Sequence, residues 1–173
     1  TLMPLQVIVT APPYADYLAE VCAHPLVCGL RLNTVMPLKE SPAQALERLN
    51  QCGKPLWVDL KGRQLRVVEA AIPPFTEIKI SHKISVQTPA EILFSDGREH
   101  GRLVAVDGDR LILENGPRRV IGPGESVNIL HPSLEILGTL TEKDVEVLQA
   151  MKSVGLQKVM LSYVELPSDI EEL

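Results

Sequence analysis

The sequence predicts an α/β protein in which a parallel β/α layer is interrupted by a small antiparallel β module. Three observations carry this. Short β-branched runs alternate with helix-patterned segments over the first third of the chain. Between about Val67 and His131 the rhythm changes to alternating apolar and polar residues, punctuated by Asp96-Gly97, Asp107-Gly108 and Asn115-Gly116. After Pro132 the alternation of helix and strand returns. Strand-helix alternation implies parallel pairing with right-handed crossovers. Asp-Gly and Asn-Gly favour hairpins, because type I′ turns need positive φ at both central positions.

Taken in order, "LQVIVT" (Leu5 to Thr10) is a β-branched run closed by Ala-Pro-Pro, which suits a buried strand ending at a turn. "ADYLAEVCAH" carries Tyr17, Leu18 and Val21 at helical spacing and stops at Pro25. "LVCGLRLN" is a second strand. "SPAQALERLNQCG" has Ser41 as N-cap, Pro42 at the first helical position and Gly53 at the far end, the usual polarity of helix signals. "PLWVDL" is a third strand. The middle module is expected to hold the short strands "EIKISH", "AEILFSD", "GRLVAVDGD", "RLILENG" and "RRVIG". "LTEKDVEVLQAMKSVG" then offers Thr141 as N-cap with Asp144 three residues on, a variant of the capping box, and Val145, Leu148 and Met151 as its apolar face. "KVMLSYV" is a fourth parallel-type strand, and "PSDIEEL" begins a further helix with Ser168 near its cap and a solvated acidic first turn.

The bulk properties narrow the function classes. Seventeen basic against 22 acidic residues give a net charge of -5, so no surplus of Lys and Arg exists to neutralise a nucleic-acid backbone. Local clusters still attract small anions. Cys22, Cys28 and Cys52 are odd in number and lack C-x-x-C spacing, so neither a zinc site nor a disulfide framework is indicated and a reducing cytoplasm fits best. No apolar run approaches the roughly 18 residues that cross a bilayer, and "TLMPLQVIVTAPP" lacks the features of a leader. The chain starts at Thr and stops within a helix-like segment, so a portion of something longer is expected.

One stretch concentrates charge where chemistry is expected. In "KPLWVDLKGRQLRVV" the apolar strand gives way to Asp59, Lys61, Arg63 and Arg66. The C-terminal ends of parallel strands are where ligands bind, because loops there vary while the strands fix their position. A carboxylate such as Asp59 at a strand end needs a partner, and an ion pair with Lys61 or Arg31 satisfies that need as well as a ligand does. Histidines 24, 82, 100 and 131 show no i, i+4 pairing or neighbouring acid that suggests a metal site or a nucleophile's base. Gly122 and Gly124 flank Pro123 and read as a turn.

Seven motifs, in order, resemble pyruvate kinase. "VIVTAPP" is similar to that family's first strand, "GLRLNTVMP" to its R-L-N-F-S-H-G strand, and "LWVDLKGRQLR" to its L-D-T-K-G-P-E-I-R strand. The Asp96-Gly97 turn resembles its D-D-G hairpin, "GPGESVNI" its N-x-P-G segment, "LTEKDVEVL" its T-E-K-D helix, and "VMLSYVELPSDIEEL" its S-F-V-R-x-x-x-D-V unit. The resemblance spans essentially the whole chain. It implies a partial TIM-type (β/α) barrel of about four parallel strands, built from residues 1–66 and 132–173, with a small antiparallel β-barrel lid at 67–131. At 173 residues the chain is below the roughly 250 of a complete (β/α)8 barrel. Half a barrel leaves two open edges, so a homo-oligomer or the remainder of a longer chain is expected to cover them.

The resemblance also implies phosphoryl transfer between phosphoenolpyruvate and ADP, with magnesium and potassium as cofactors and a small phosphorylated metabolite or nucleotide as partner. Carried across by position, Arg31 and Ser162 would face the substrate phosphate, Asn33 and Asp59 would belong to the potassium shell, and Arg66 would reach the nucleotide phosphates. Arginine suits such roles because its planar fork grips phosphate bidentately. The chain departs from the pattern at Val35 and Met36 (Ser and His in the family), Leu60 (Thr), Arg63 and Gln64 (Pro and Glu), and Glu165 (Arg). These changes remove oxygen ligands that a hard cation needs. No stretch resembles the family's catalytic lysine or its two metal-binding carboxylates, so phosphoryl transfer by these residues alone is not expected. The alternative is a non-catalytic binding or regulatory module for a phosphorylated metabolite or protein, as a half-barrel homodimer.

Overall fold

A computed structural model describes residues 3–173; Thr1 and Leu2, the start of the stretch examined for a leader, lie outside the described residues. In chain order the elements are β1 (Val7–Thr10), α1 (Leu18–Ala23), β2 (Val27–Asn33), α2 (Pro42–Asn50), β3 (Leu56–Leu60), β4 (Glu77–Lys79), β5 (Ile84–Ser85) and β6 (Ala90–Phe94). There follow β7 (Glu99–Asp107), β8 (Arg110–Leu113), β9 (Val127–Leu130), β10 (Glu135–Ile136), α3 (Glu142–Val154), β11 (Val159–Leu161) and α4 (Ser168–Glu171). The chain forms two compact units: one comprises residues up to Gly62 together with Glu142–Leu166, the other Arg63–Thr141 with Pro167–Leu173.

The first unit is a four-stranded sheet in the order β1-β2-β3-β11, every neighbour parallel. Alternation along the strands sends Leu30, Leu32, Leu56, Val58 and Leu60 into a buried layer. Leu32, Leu46 of α2 and Val147 of α3 line one small apolar cleft, so these two helices pack on that face of the sheet. Residues opposite one another in register share a face, and the register pairs Thr10 with Arg31, Asn33 with Asp59, and Asp59 with Met160. Helix α2 starts as its sequence predicts: Ser41 accepts from the Gln44 N–H while the Gln44 side chain accepts from the Ser41 N–H, with Pro42 in the first turn.

Two expectations for this unit are corrected. Strand β1 is not buried: three of its four residues are exposed, because it is an outer strand. In α3 the inward residues are Asp144, Val147 and Met151, while Val145 is exposed. Both sets are spaced for one helical face; a carboxylate with an internal partner decides between them.

The second unit holds the five-stranded antiparallel sheet β4-β8-β7-β6-β9 and the two-stranded pair β10-β5. Its core gathers Leu65, Val67, Ile78, Ile80, Ile92, Phe94, Leu103, Leu111, Ile121 and Ile129, among others. The hairpin signals resolve differently from one another. Ser95, Asp96 and Gly97 all take positive φ in a four-residue loop between β6 and β7. The next hairpin is centred on Gly108-Asp109, one residue later than Asp107-Gly108, with Gly108 at φ 61. Asn115-Gly116 joins no hairpin; Gly116 is required because a Cβ there would lie 2.7 Å from the carbonyl oxygens of Pro74 and Phe75. "RRVIG" forms no strand, and Ile121 makes only an isolated bridge to Ala71. At the Gly122-Pro123-Gly124 turn, burial would push the Glu125 carboxyl up, but Arg119, Ser95 and the Gly122 N–H outweigh it and hold the group below its ordinary 4.5.

Helix α4 lies in this second unit, and within its otherwise exposed turn one acidic residue is not solvated. Asp169 is fully buried, accepting from the Arg63 guanidinium at 2.7 Å and from the Thr139 hydroxyl at 3.1 Å. Arg63 also donates to the Ile136 carbonyl at 3.1 Å. These bonds hold Arg63 and α4 within the second unit, so that the units divide at Gly62/Arg63, Thr141/Glu142 and Leu166/Pro167.

Candidate functional site

At the C-terminal rim of the parallel sheet, three strands and the residue after a fourth converge on Asp59. This carboxylate, 6% exposed, is the penultimate residue of β3. Its Oδ2 accepts from the Arg31 guanidinium and from Lys61 Nζ, the latter at 3.4 Å, and its Oδ1 accepts from the Ser162 hydroxyl at 3.1 Å. Arg31 sits on β2, which the register sets between β1 and β3, and its second terminal nitrogen donates to Thr10 Oγ1 at 2.9 Å. The guanidinium is therefore fixed from both sides by neighbouring strands yet keeps 29% of its side-chain surface exposed. Lys61 is less open, at 13%. Two cations, a hydroxyl and one carboxylate make a preorganised polar cluster with cationic groups facing the rim.

Of the residues singled out from sequence, Arg31, Asp59 and Ser162 come together here. Asn33 stands beside Asp59 in register, but its Oδ1 accepts from the Val35 N–H at 3.2 Å. Arg66 belongs to the other unit, where it donates to the Gly124 carbonyl at 2.7 Å and to Gln64 Oε1 at 3.2 Å. Three contributors escaped sequence reading. Thr10 orients Arg31; Thr34, buried, donates to the Asp59 carbonyl at 2.7 Å; and Asp144 accepts from the Lys61 and Gly62 N–H groups, each at 3.0 Å. Only strand register could have found Thr10; nothing local marks Thr34, and the local pattern reads Asp144 as a helix cap rather than as a partner of the Lys61 and Gly62 amides.

The donor set does not fit a potassium or magnesium ion. Both Asp59 oxygens are engaged by donors, two of them cationic, and Leu60, Val35 and Met36 supply no oxygen from their side chains. Among the described residues no group of three or more His, Cys, Asp or Glu is placed to hold a metal. No helix of the described residues is long and apolar enough to cross a membrane.

No protein-family model and no curated protein matches the sequence. Solved structures do. The chain is similar to Cryptosporidium parvum pyruvate kinase, with TM-score 0.70 and 17% identity over 98% of this chain and 42% of that one. It is also similar to Cryptosporidium parvum pyruvate kinase in complex with ADP, with TM-score 0.65 and 16% identity over 99% of this chain and 40% of that one. The chain thus spans about two fifths of the length of the pyruvate kinases it matches, and over that span it has their fold.

Proposed function

We propose that this chain carries the phosphate-holding side of a divergent pyruvate-kinase-like site and binds a small phosphorylated metabolite at Arg31. The observation that supports this reading is the Arg31 guanidinium itself. It stands on a central strand at the C-terminal rim of a parallel sheet, held by Thr10 and Asp59, partly exposed, with Lys61 and Ser162 alongside. The fold likeness to pyruvate kinases supports the assignment of that rim to phosphate. Arg66 is the proposed contact for a nucleotide phosphate. A reducing cytoplasm suits three free thiols.

Binding rather than turnover is the proposed activity of these residues. Phosphoryl transfer needs positive charge on the transferring group, supplied in the resembled family by a lysine and a carboxylate-held divalent ion, for which this chain has no counterpart. The test is thermal stabilisation by phosphoenolpyruvate, ATP and oxalate, with and without potassium. Phosphoenolpyruvate should raise Tm in either salt, Arg31→Ala should remove the rise, and Arg31→Lys should leave part of it because charge survives without the fork. A rise unaffected by Arg31→Ala would sink the reading, and measurable pyruvate formation from phosphoenolpyruvate and ADP would sink its non-catalytic part.

A further inference from the structure

Asp144 has a task that its position in a helix does not require. It lies in the first turn of α3, where a carboxylate is favoured by the helix dipole and ordinarily faces solvent or its own amides. Here it is 1% exposed and reaches across to the segment that leaves β3. One oxygen accepts from the Lys61 N–H and the other from the Gly62 N–H, both at 3.0 Å. Successive amides followed by a left-handed residue form a concavity that binds anions, and Gly62 has φ +55. The carboxylate of Asp144 fills that concavity.

The same short turn is pinned on its other side. A Cβ on Gly62 would come within 2.5 Å of the Ser162 carbonyl oxygen, so the turn lies against the end of β11. The Ser162 N–H donates to the Leu60 carbonyl at 3.2 Å, tying the two strand ends together. Lys61, between these restraints, projects its ammonium to Asp59.

We infer that Asp144 is a positioning residue for the candidate anion site: by gripping the Lys61 and Gly62 amides it fixes the turn that holds the Lys61 ammonium at Asp59. As a statement about the site's ligand this rests on the reading that Arg31 and its neighbours bind a phosphorylated metabolite; as a statement about Lys61 it does not. Asn is the informative replacement, since its amide nitrogen cannot accept and meets an N–H donor with another donor.

The experiment compares the full chain with Asp144→Asn, Asp144→Glu and Val147→Ala, the last loosening the same helix without touching the turn. Amide exchange at Lys61 and Gly62 and acylation of Lys61 by an amine-reactive ester are read by mass spectrometry, and phosphoenolpyruvate affinity by calorimetry. In Asp144→Asn, both exchange and acylation should rise about tenfold, and affinity should fall by a similar factor, as loss of a charge-assisted hydrogen bond implies. Asp144→Glu should recover part of each, and Val147→Ala should change none beyond its effect on overall unfolding. Unchanged exchange and acylation in Asp144→Asn, or equal changes in Val147→Ala, would overturn the inference. If the wild-type chain fails to bind phosphoenolpyruvate, the functional reading falls and the exchange and acylation results alone decide the role of Asp144.

Discussion

Cys22 shows how burial, with a neighbouring thiol, sets a residue's chemistry. It faces inward from α1 at 5% exposure, and burial pushes its thiol up, with the hydrogen bond and charge of Cys52 adding to the effect and Lys54 opposing it. The result is a rise from the ordinary 9.0 to about 11. In the unfolded chain this thiol loses its proton first as pH rises, while the folded chain still holds it. Stability should therefore fall as pH passes from 9.0 toward 11. Denaturation midpoints across that window should drop more steeply in the wild type than in Cys22→Ala, and at pH 8 a disulfide reagent should modify Cys22 more slowly than Cys28 or Cys52. Equal pH slopes would contradict the assignment. At the site itself, Asp59 was recognisable because an apolar strand ending in a carboxylate invites a partner. That it would hold both Arg31 and Lys61 was not, since both pairings satisfied the same need.

Elements form where local signals agree. Helix α2 has its capping box, its early proline and a left-handed glycine after its end, Gly53 at φ +72, all within one short segment. Ser41→Ala should accordingly cost about 1 kcal/mol in chemical denaturation, with the slope unchanged. Helix α3 was legible as a helix but not in its orientation, because two overlapping sets of residues share its spacing and the choice depends on amides of β3's exit, distant in sequence. The hairpins teach the same lesson in reverse. Gly108 serves its turn through its own positive φ, yet Gly116 is needed for the space it leaves to Pro74 and Phe75, a requirement that its local Asn-Gly pairing misrepresents. The two-residue strands β5 and β10 are too short to display a period, and β11 was recognisable only as part of a longer apolar run.

For the molecule as a whole, the open edges of the parallel sheet are the dominant physical problem. Among the described residues β1 and β11 each pair on one side only, and Val7, Ile8 and Met160 on them are exposed. Unpaired strand edges bearing apolar side chains favour edge-to-edge pairing, and a two-fold axis along the strand direction would set β11 of one copy parallel to β1 of another. The expected outcome is self-association of the 173-residue chain in sedimentation, relieved when Ile8→Lys and Met160→Lys are combined. A monomer at all concentrations would show that these edges are tolerated as they stand.

By itself the sequence determined the alternation of strands and helices, the break to an antiparallel module, and the strand-end carboxylate Asp59, because periodicity, turn chemistry and strand-end charge are local properties; Arg31 and Ser162 as ligand contacts came from the resemblance to pyruvate kinase. Only the tertiary structure decided that Thr10, Thr34, Lys61 and Asp144 complete the cluster, that Arg66 lies in the other compact unit, and that Asp169 is buried against Arg63. The reason is physical: a polar side chain's role depends on which donors and acceptors strand register and helix packing bring within hydrogen-bonding range, and those partners stand up to 106 positions away along the chain.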